Sequence, residues 1–497
     1  MPNHPRKIKH ALTLAISCSI GLASAAHAGI AELLLKKGVI TQEEYQQLKN
    51  EAAATASSVA ATPGTAPTAT TISTTTATLA PVAAATPIST PAAAPNISFS
   101  KGFVVTSIDN SYSVQLGTLM QFDVASYTDA GAIDNNAGSN IRRGRLYMQG
   151  TALKDWQYKF ELELFGNTGT EVTDAYLRYN GFTPFTSTKP LAVTVGHFKI
   201  PFSFEQLMAD KDLSLMERSL PNALLKSRAP GLMISTSSEH WTAAAMGFGE
   251  QLYSNAPSSS SPTTSTTTNT QQDEGGGASA RVTWAPIIGD GVLLHLGLSA
   301  QYQKPTQKPG GETLSFSSRP ESFTTNLRTV DTKNIGGDVK NAKLFGAELS
   351  SVFGPATLSG EYIRAQVERD LKGSAGGDLT FSGWYAQASW MLSGERRVYD
   401  ADRGIFKGLA PLHPIGTGGS LSSIKGAWEL TARYSVLDLN DLTISGGRER
   451  NTTLGLGWYA NNFVRLSGNW IHVYDIDGGP FNDQSMNVLQ ARMQFAY

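Results

Sequence analysis

Arg143 and Arg145 stand two residues apart in a segment that alternates polar and apolar side chains, and they share one face with Tyr147 and Gln149. Arg281, Arg433, Arg465 and Arg492 fall on the polar faces of other alternating segments, and Lys159 and Arg178 can join them. A guanidinium keeps its charge at any physiological pH. Fixed along the wall of a water-filled passage, such groups attract anions and repel cations. Glu161, Glu163, Asp174, Glu348 and Glu429 lie on the same faces, so a wall braced by ion pairs is the alternative use. The expectation is a net anion preference.

Other chemistry finds little support. His197, His240, His295, His413 and His472 are scattered singly, without metal-site spacing. No G-x-S-x-G turn and no G-x-x-x-x-G-K-[ST] phosphate cradle occurs. Asp475 and Asp477 beside Gly478 read as a solvated turn. No catalytic residue, metal or cofactor is therefore expected. An outer-membrane hydrolase would need a serine beside a histidine, and no such pair can be picked out. An adhesin or structural anchor, using the Ser/Thr-rich stretch 254–270, is the other rival class. Ion conductance separates a channel from both.

The elements that must position these side chains are strands. With a net charge of −1 and a pI of about 6.7, nothing points to nucleic acid. Beyond the N-terminal leader no stretch is long and apolar enough for a spanning helix, which needs roughly 20 residues. A barrel strand escapes that test, because only every second residue is apolar.

Four regions follow one another. Residues 1–28 read as a signal peptide, with Arg6, Lys7 and Lys9 before an apolar core and Ala26-His27-Ala28 as cleavage site. The only cysteine, Cys18, leaves with it. Residues 29–51 read as a short helical pair, with Gly38 ending the first helix and Thr41 to Glu44 forming a capping box. So short a unit needs a partner, which suggests self-association or docking. Residues 52–97 are rich in Ala, Thr, Ser and Pro and read as an extended linker. Residues 98–497 carry the repeated alternation.

Val114, Leu116, Met120, Phe122 and Val124 share one face, and so do Trp156, Tyr158, Phe160, Leu162 and Leu164. The last segment ends on Leu489, Met493, Phe495 and Tyr497, opposite Gln490, Arg492 and Gln494. About sixteen such segments begin near Ser113, Ile141, Asp155, Val172, Leu191, Gly231, Trp241, Ala280, Val292, Lys343, Thr357, Phe381, Ala427, Arg450, Asn462 and Asn487. Short and long connections alternate between them, the pattern of a transmembrane antiparallel β-barrel with turns on one side and loops on the other. The connection from Ser393 to Gly426 breaks the rule, being long where a short turn is expected. The stretch Lys199 to Pro230 mixes charge with Phe202, Phe204, Leu213, Leu215 and Met216, so it is expected to fold into the pore and narrow it.

Four segments resemble the phosphate-selective porin O and P family: LLLKKGVITQEEYQQLK, IRRGRLYMQGTALKDWQYKFELE, GHFKIPFSFEQLMADKDLSLMERSLPNAL and GAWELTARYSVLDLND. The resemblance implies a trimeric outer-membrane porin of sixteen strands that passes small anions, with its N-terminal segment in the periplasm. It also implies an arginine ladder leading to a constriction on the third loop. Arg142, Arg143 and Arg145 map onto the ladder, with Arg433, Arg465 and Arg492 as further pore-lining candidates. Lys199, Lys211 and Arg218 are the candidates on the constriction loop. Phosphate-selective members have a second lysine after the glutamate of this loop, where Gln206 stands here. That departure weakens phosphate as the solute and leaves a general-diffusion or differently selective porin as the alternative.

Overall fold

The computed structural model divides the chain into two units, Met1–Ile88 and Ser89–Tyr497. It describes residues 95–497, apart from 100–101, 129–130, 132–136, 167–168, 185–188, 250–273, 307–313, 336–337, 371–376 and 417–424. The signal peptide, the helical pair and nearly all of the linker lie outside the described residues, as does the Ser/Thr-rich stretch.

Sixteen strands make the wall of one closed antiparallel barrel. They are β1 (Ser113–Thr128), β2 (Gly138–Ala152), β3 (Trp156–Gly166), β4 (Gly169–Phe182), β5 (Leu191–Lys199), β6 (Arg228–Ser237), β7 (Trp241–Gly249) and β8 (Gly276–Gly289) in the first half. The second half holds β9 (Val292–Lys304), β10 (Asp338–Phe353), β11 (Ala356–Asp370), β12 (Leu379–Met391), β13 (Ala427–Asp441), β14 (Ile444–Tyr459), β15 (Val464–Val473) and β16 (Met486–Ala496). Every segment expected from alternation is a strand. The largest offset is β14, which starts at Ile444 rather than near Arg450 because Gly446 and Gly447 hide the alternation there.

The barrel closes where β16 pairs with β1, from Asn487 opposite Thr128 to Ala496 opposite Leu119. Tyr497 adds one more rung, its N–H donating to the Thr118 carbonyl at 2.9 Å and its carbonyl accepting from Thr118 at 2.7 Å. Below that rung β1 has no β16 partner. Phe103–Thr106 pairs with it instead and is itself paired with Asn96–Ser98, of which Asn96 and Ile97 were expected in the linker.

The outer wall is apolar as expected, with Leu298 62% and Leu489 65% exposed on the side that meets lipid. The inner wall is not uniformly polar. Leu344, Ile363, Phe381, Leu437, Ile471 and Val488 are buried on the inner face of the loop-side half. They form one cluster with Phe202, Leu220 and Leu224 of loop L3 (residues 200–227) and with Phe316, Val330 and Ile335 of loop L5 (residues 305–337). Both loops enter the barrel because the inner wall offers apolar surface that water would otherwise cover.

The long connection T6 (residues 392–426), between β12 and β13, is a real exception to the alternation. It runs inward from the turn side and carries a small hairpin, Val398–Asp400 against Ile405–Lys407. Ile405 and Phe406 pack on Phe204, Met208 and Leu213 of L3, so segments entering from opposite ends meet inside.

Candidate pore constriction

L3 turns inward directly after β5. Its one helical turn, α1 (Phe204–Leu207), is held at both ends by charge. At the start, the Glu361 carboxylate of β11 accepts from the Phe204 and Glu205 N–H groups at 2.9 and 2.7 Å. At the end, Lys199 Nζ donates to the carbonyls of Gln206 at 2.8 Å and Met208 at 2.6 Å. Arg218 donates to the carbonyls of Glu205 at 3.1 Å and Met208 at 2.9 Å. These cations satisfy the orphan carbonyls of a helix end. Lys199 and Arg218 therefore brace the loop from within. Two wall glycines let L3 lie close: a Cβ on Gly383 would stand 3.1 Å from Pro221, and one on Gly455 only 2.3 Å from Leu215.

The arginines converge on this loop. Asp210 of L3 meets Arg145 at 2.5 Å and Arg143 at 3.3 Å, and it also pairs with Arg218. Glu217 meets Arg142 at 2.9 Å and Arg492 at 2.5 Å. Glu205 meets Arg433 at 3.2 Å, and the same guanidinium reaches Glu321 of L5 at 2.5 Å. Arg465 donates to the carbonyls of Leu213 and Ser214, and its guanidinium lies 4.4 Å above the Tyr459 ring. Arg143, Arg433, Arg465 and Arg492 are all buried. Burial opposes ionisation of Asp210, but the guanidiniums of Arg143, Arg218 and Arg145 outweigh it and hold its carboxyl well below the usual range. Arg142, Arg143 and Arg492 do the same for Glu217 against its burial.

Arg142 reaches the inside by an irregularity. The β1–β2 register pairs Gln121 with Arg143 but Phe122 with Ile141, leaving Arg142 as the extra residue of a bulge. A bulge re-aims a side chain that strict alternation would place outside. Arg142 and Arg143 thus both point inward.

What remains open is small. Lys211 at the crest of L3 is exposed, and its ammonium has no ion-pair partner among the described residues. Its backbone is pinned instead, with Gln494 Nε2 donating to its carbonyl at 3.2 Å. Arg403, at the tip of the T6 hairpin, is exposed in the same way. Arg178 bonds Asn180 at 2.7 Å and has no ion-pair partner among the described residues. On L5, Phe323 lies between two cations, 3.9 Å from the Arg142 guanidinium and 4.5 Å from that of Arg319. Gln206 is buried, and its amide donates to Ser227 Oγ at the far end of L3.

Sequence reasoning missed Arg319, Arg403 and the pair of Arg397 with Glu429, which lie 2.7 Å apart on T6 and β13. The unusual length of the 393–426 gap was the only signal for the T6 residues.

Residues 114–497 match the family described as Phosphate-selective porin O and P. The chain belongs to this family. It is a channel-forming porin of the bacterial outer membrane. Among curated relatives, the porin is 24% identical over 421 residues to Porin O of Pseudomonas aeruginosa, covering 77% of this chain and 88% of that one. It is 27% identical over 422 residues to an uncharacterized protein of Caulobacter vibrioides, covering 83% and 79%. Among solved structures, it resembles an anion-selective porin from Comamonas acidovorans at 16% identity and a TM-score of 0.46, over 78% of this porin and 100% of that chain. It also resembles the outer membrane channel DcaP of Acinetobacter baumannii at 10% identity and a TM-score of 0.46, over 80% and 100%.

Proposed function

We propose that this porin lets small inorganic anions diffuse through an eyelet bounded by L3, L5 and T6, and that cations without acidic partners set its preference. The carrying observation is the division of labour among the positive side chains. Arg142, Arg143, Arg145, Arg433 and Arg492 are matched by carboxylates, and Arg465 by carbonyls and an aromatic ring. They hold the loop and add little net field. Lys211, with Arg403 and Arg178, forms no ion pair among the described residues and supplies the least neutralised charge of the eyelet. In a narrow, low-dielectric passage such groups act strongly on a passing ion.

Gln206 favours broad anion passage over a dedicated phosphate site, because its amide is engaged with Ser227. A homotrimer is the assembly we infer from membership of the family. We also infer that the N-terminal segment lies in the periplasm. A reversal potential under a KCl gradient in a planar bilayer tests the reading. Anion selectivity with weak phosphate block of chloride current is expected; cation selectivity would overturn it.

A further inference from the structure

The outer wall carries a second, unrelated set of cations. On β15, β16 and β1–β4 every described lysine and arginine of a strand points inward. On β9–β11, by contrast, Lys304, Lys343 and Arg364 stand outward and exposed, and Lys340 joins them at a bulge of β10. Their height is fixed by the register. Tyr362 of β11 lies opposite Trp384 of β12, both exposed on the outer face at 46% and 40%. Tyr302 of β9, 44% exposed, lies opposite Lys343. Outward aromatic rings of this kind mark the membrane–water interface. Arg364 is the next outward residue of β11 on the loop side of Tyr362, and Lys304 is the next on β9 beyond Tyr302. The cations therefore form a row just beyond the aromatic one, at headgroup level.

Neutralisation within the row is partial. Glu368 lies 3.6 Å from Lys343 and 3.9 Å from Lys340, and Asp370 stands outward beyond it. Arg364 and Lys304 have no ion-pair partner among the described residues. Arg364 is flanked in register by Phe345 and Ser382, neither of which can take its charge. A guanidinium on a lipid-facing wall is unfavourable unless it reaches water or an anion.

We propose that this row binds a phosphate-bearing lipid headgroup of the outer leaflet, seated between Lys343 on β10 and Arg364 on β11. The tyrosine and tryptophan rings below take the start of its acyl chains. The site lies on the outer wall, so a lipid bound there does not enter the channel, and free phosphate passing the lumen does not reach it.

The test uses the full-length porin in zwitterionic detergent micelles, with bisphosphorylated and dephosphorylated lipid A as probes and native mass spectrometry as the readout. The bisphosphorylated lipid is expected to bind at least tenfold more tightly. The double variant Lys343→Gln, Arg364→Gln is expected to lose that margin, at roughly 1 kcal/mol or fivefold per cation, while its chloride conductance stays at the wild-type value. Equal binding of the two lipids by the wild-type protein overturns the proposal, as does an unchanged margin in the variant. The wild-type comparison decides the matter even if the variant does not fold. Loss of anion selectivity in the wild type would count against the channel reading alone.

Discussion

Arg492 on the last strand and Asp123 on the first face each other across the seam, joined through Nε and Nη2 at 2.7 Å each. The same guanidinium reaches Glu217 of L3 at 2.5 Å. One side chain thus fastens the barrel wall to itself and the constriction loop to the wall. Arg492→Gln leaves the buried Asp123 carboxylate without its cation and takes from Glu217 one of the cations around it. It is expected to cost about 3–5 kcal/mol, the range for breaking a buried pair. Urea unfolding in detergent measures it, and an unchanged midpoint would show that the seam does not depend on this pair.

Glu217→Gln removes the acid that cancels Arg142 and one of the two that hold Arg492, which keeps Asp123. A ladder already exposed to ions would gain little from this change. The geometry predicts more: stronger anion selectivity, from guanidiniums newly released, and noisier current, from a loop that has lost a tether. Single-channel recordings with a reversal potential check both.

Lys211→Gln is expected to lower anion selectivity with little change in stability, within about 0.5 kcal/mol as for exposed sites. Selectivity equal to wild type would move the eyelet charge to Arg403 and Arg178.

Gly455→Leu places a side chain where a Cβ alone would stand 2.3 Å from Leu215 and 2.8 Å from Asn469 Oδ1. The wall cannot yield, so L3 must. Overpacking of this kind costs about 1–3 kcal/mol. Altered single-channel conductance is expected, and conductance identical to wild type would mean that Leu215 is not held against β14.

Acid should act late. Asp210 and Glu217 have folded-state values below their unfolded ones. Their contribution is therefore complete above the ordinary carboxylate range and is lost only as pH falls through the lowered values. The ion pairs of Asp210 and Glu217 are expected to persist from neutral pH down to about pH 4, where free carboxyls titrate, and to break only below it; an infrared titration of the wild type minus the Asp210→Asn, Glu217→Gln variant reads these two groups. A difference transition centred between about pH 4 and 5 would mean that these two carboxyls titrate as free ones.

The strands were legible because a lipid-facing wall demands apolar residues at every second position, whatever the inside does. Ser113, Leu191, Trp241, Val292 and Ala427 all begin strands where alternation put them. The inside was less legible. The inner patch around Leu344, Ile363 and Phe381 breaks the rule that the second face is wet, and only the loops it receives explain it. Arg142 could not be placed by period, because a bulge shifts the count at that residue. The partners of the arginines were hidden by distance along the chain. Arg145 pairs 65 residues away with Asp210, and Arg433 pairs 228 away with Glu205. No local pattern announces such pairs, so charges that look available to ions in the sequence prove to be spoken for in the fold.

That separation bears on how the molecule is made. L3 leaves the wall after the fifth strand and meets β2 through Arg142, Arg143 and Arg145, yet its other docking points stand on β11 to β14 and on β16. While those strands are missing, the loop lacks these later anchors. Once β16 meets β1, Arg492 binds the seam and the loop at once. Closing the circle and completing the hold on the loop therefore depend on one side chain, and an open arc of strands keeps L3 by fewer anchors than the closed barrel does.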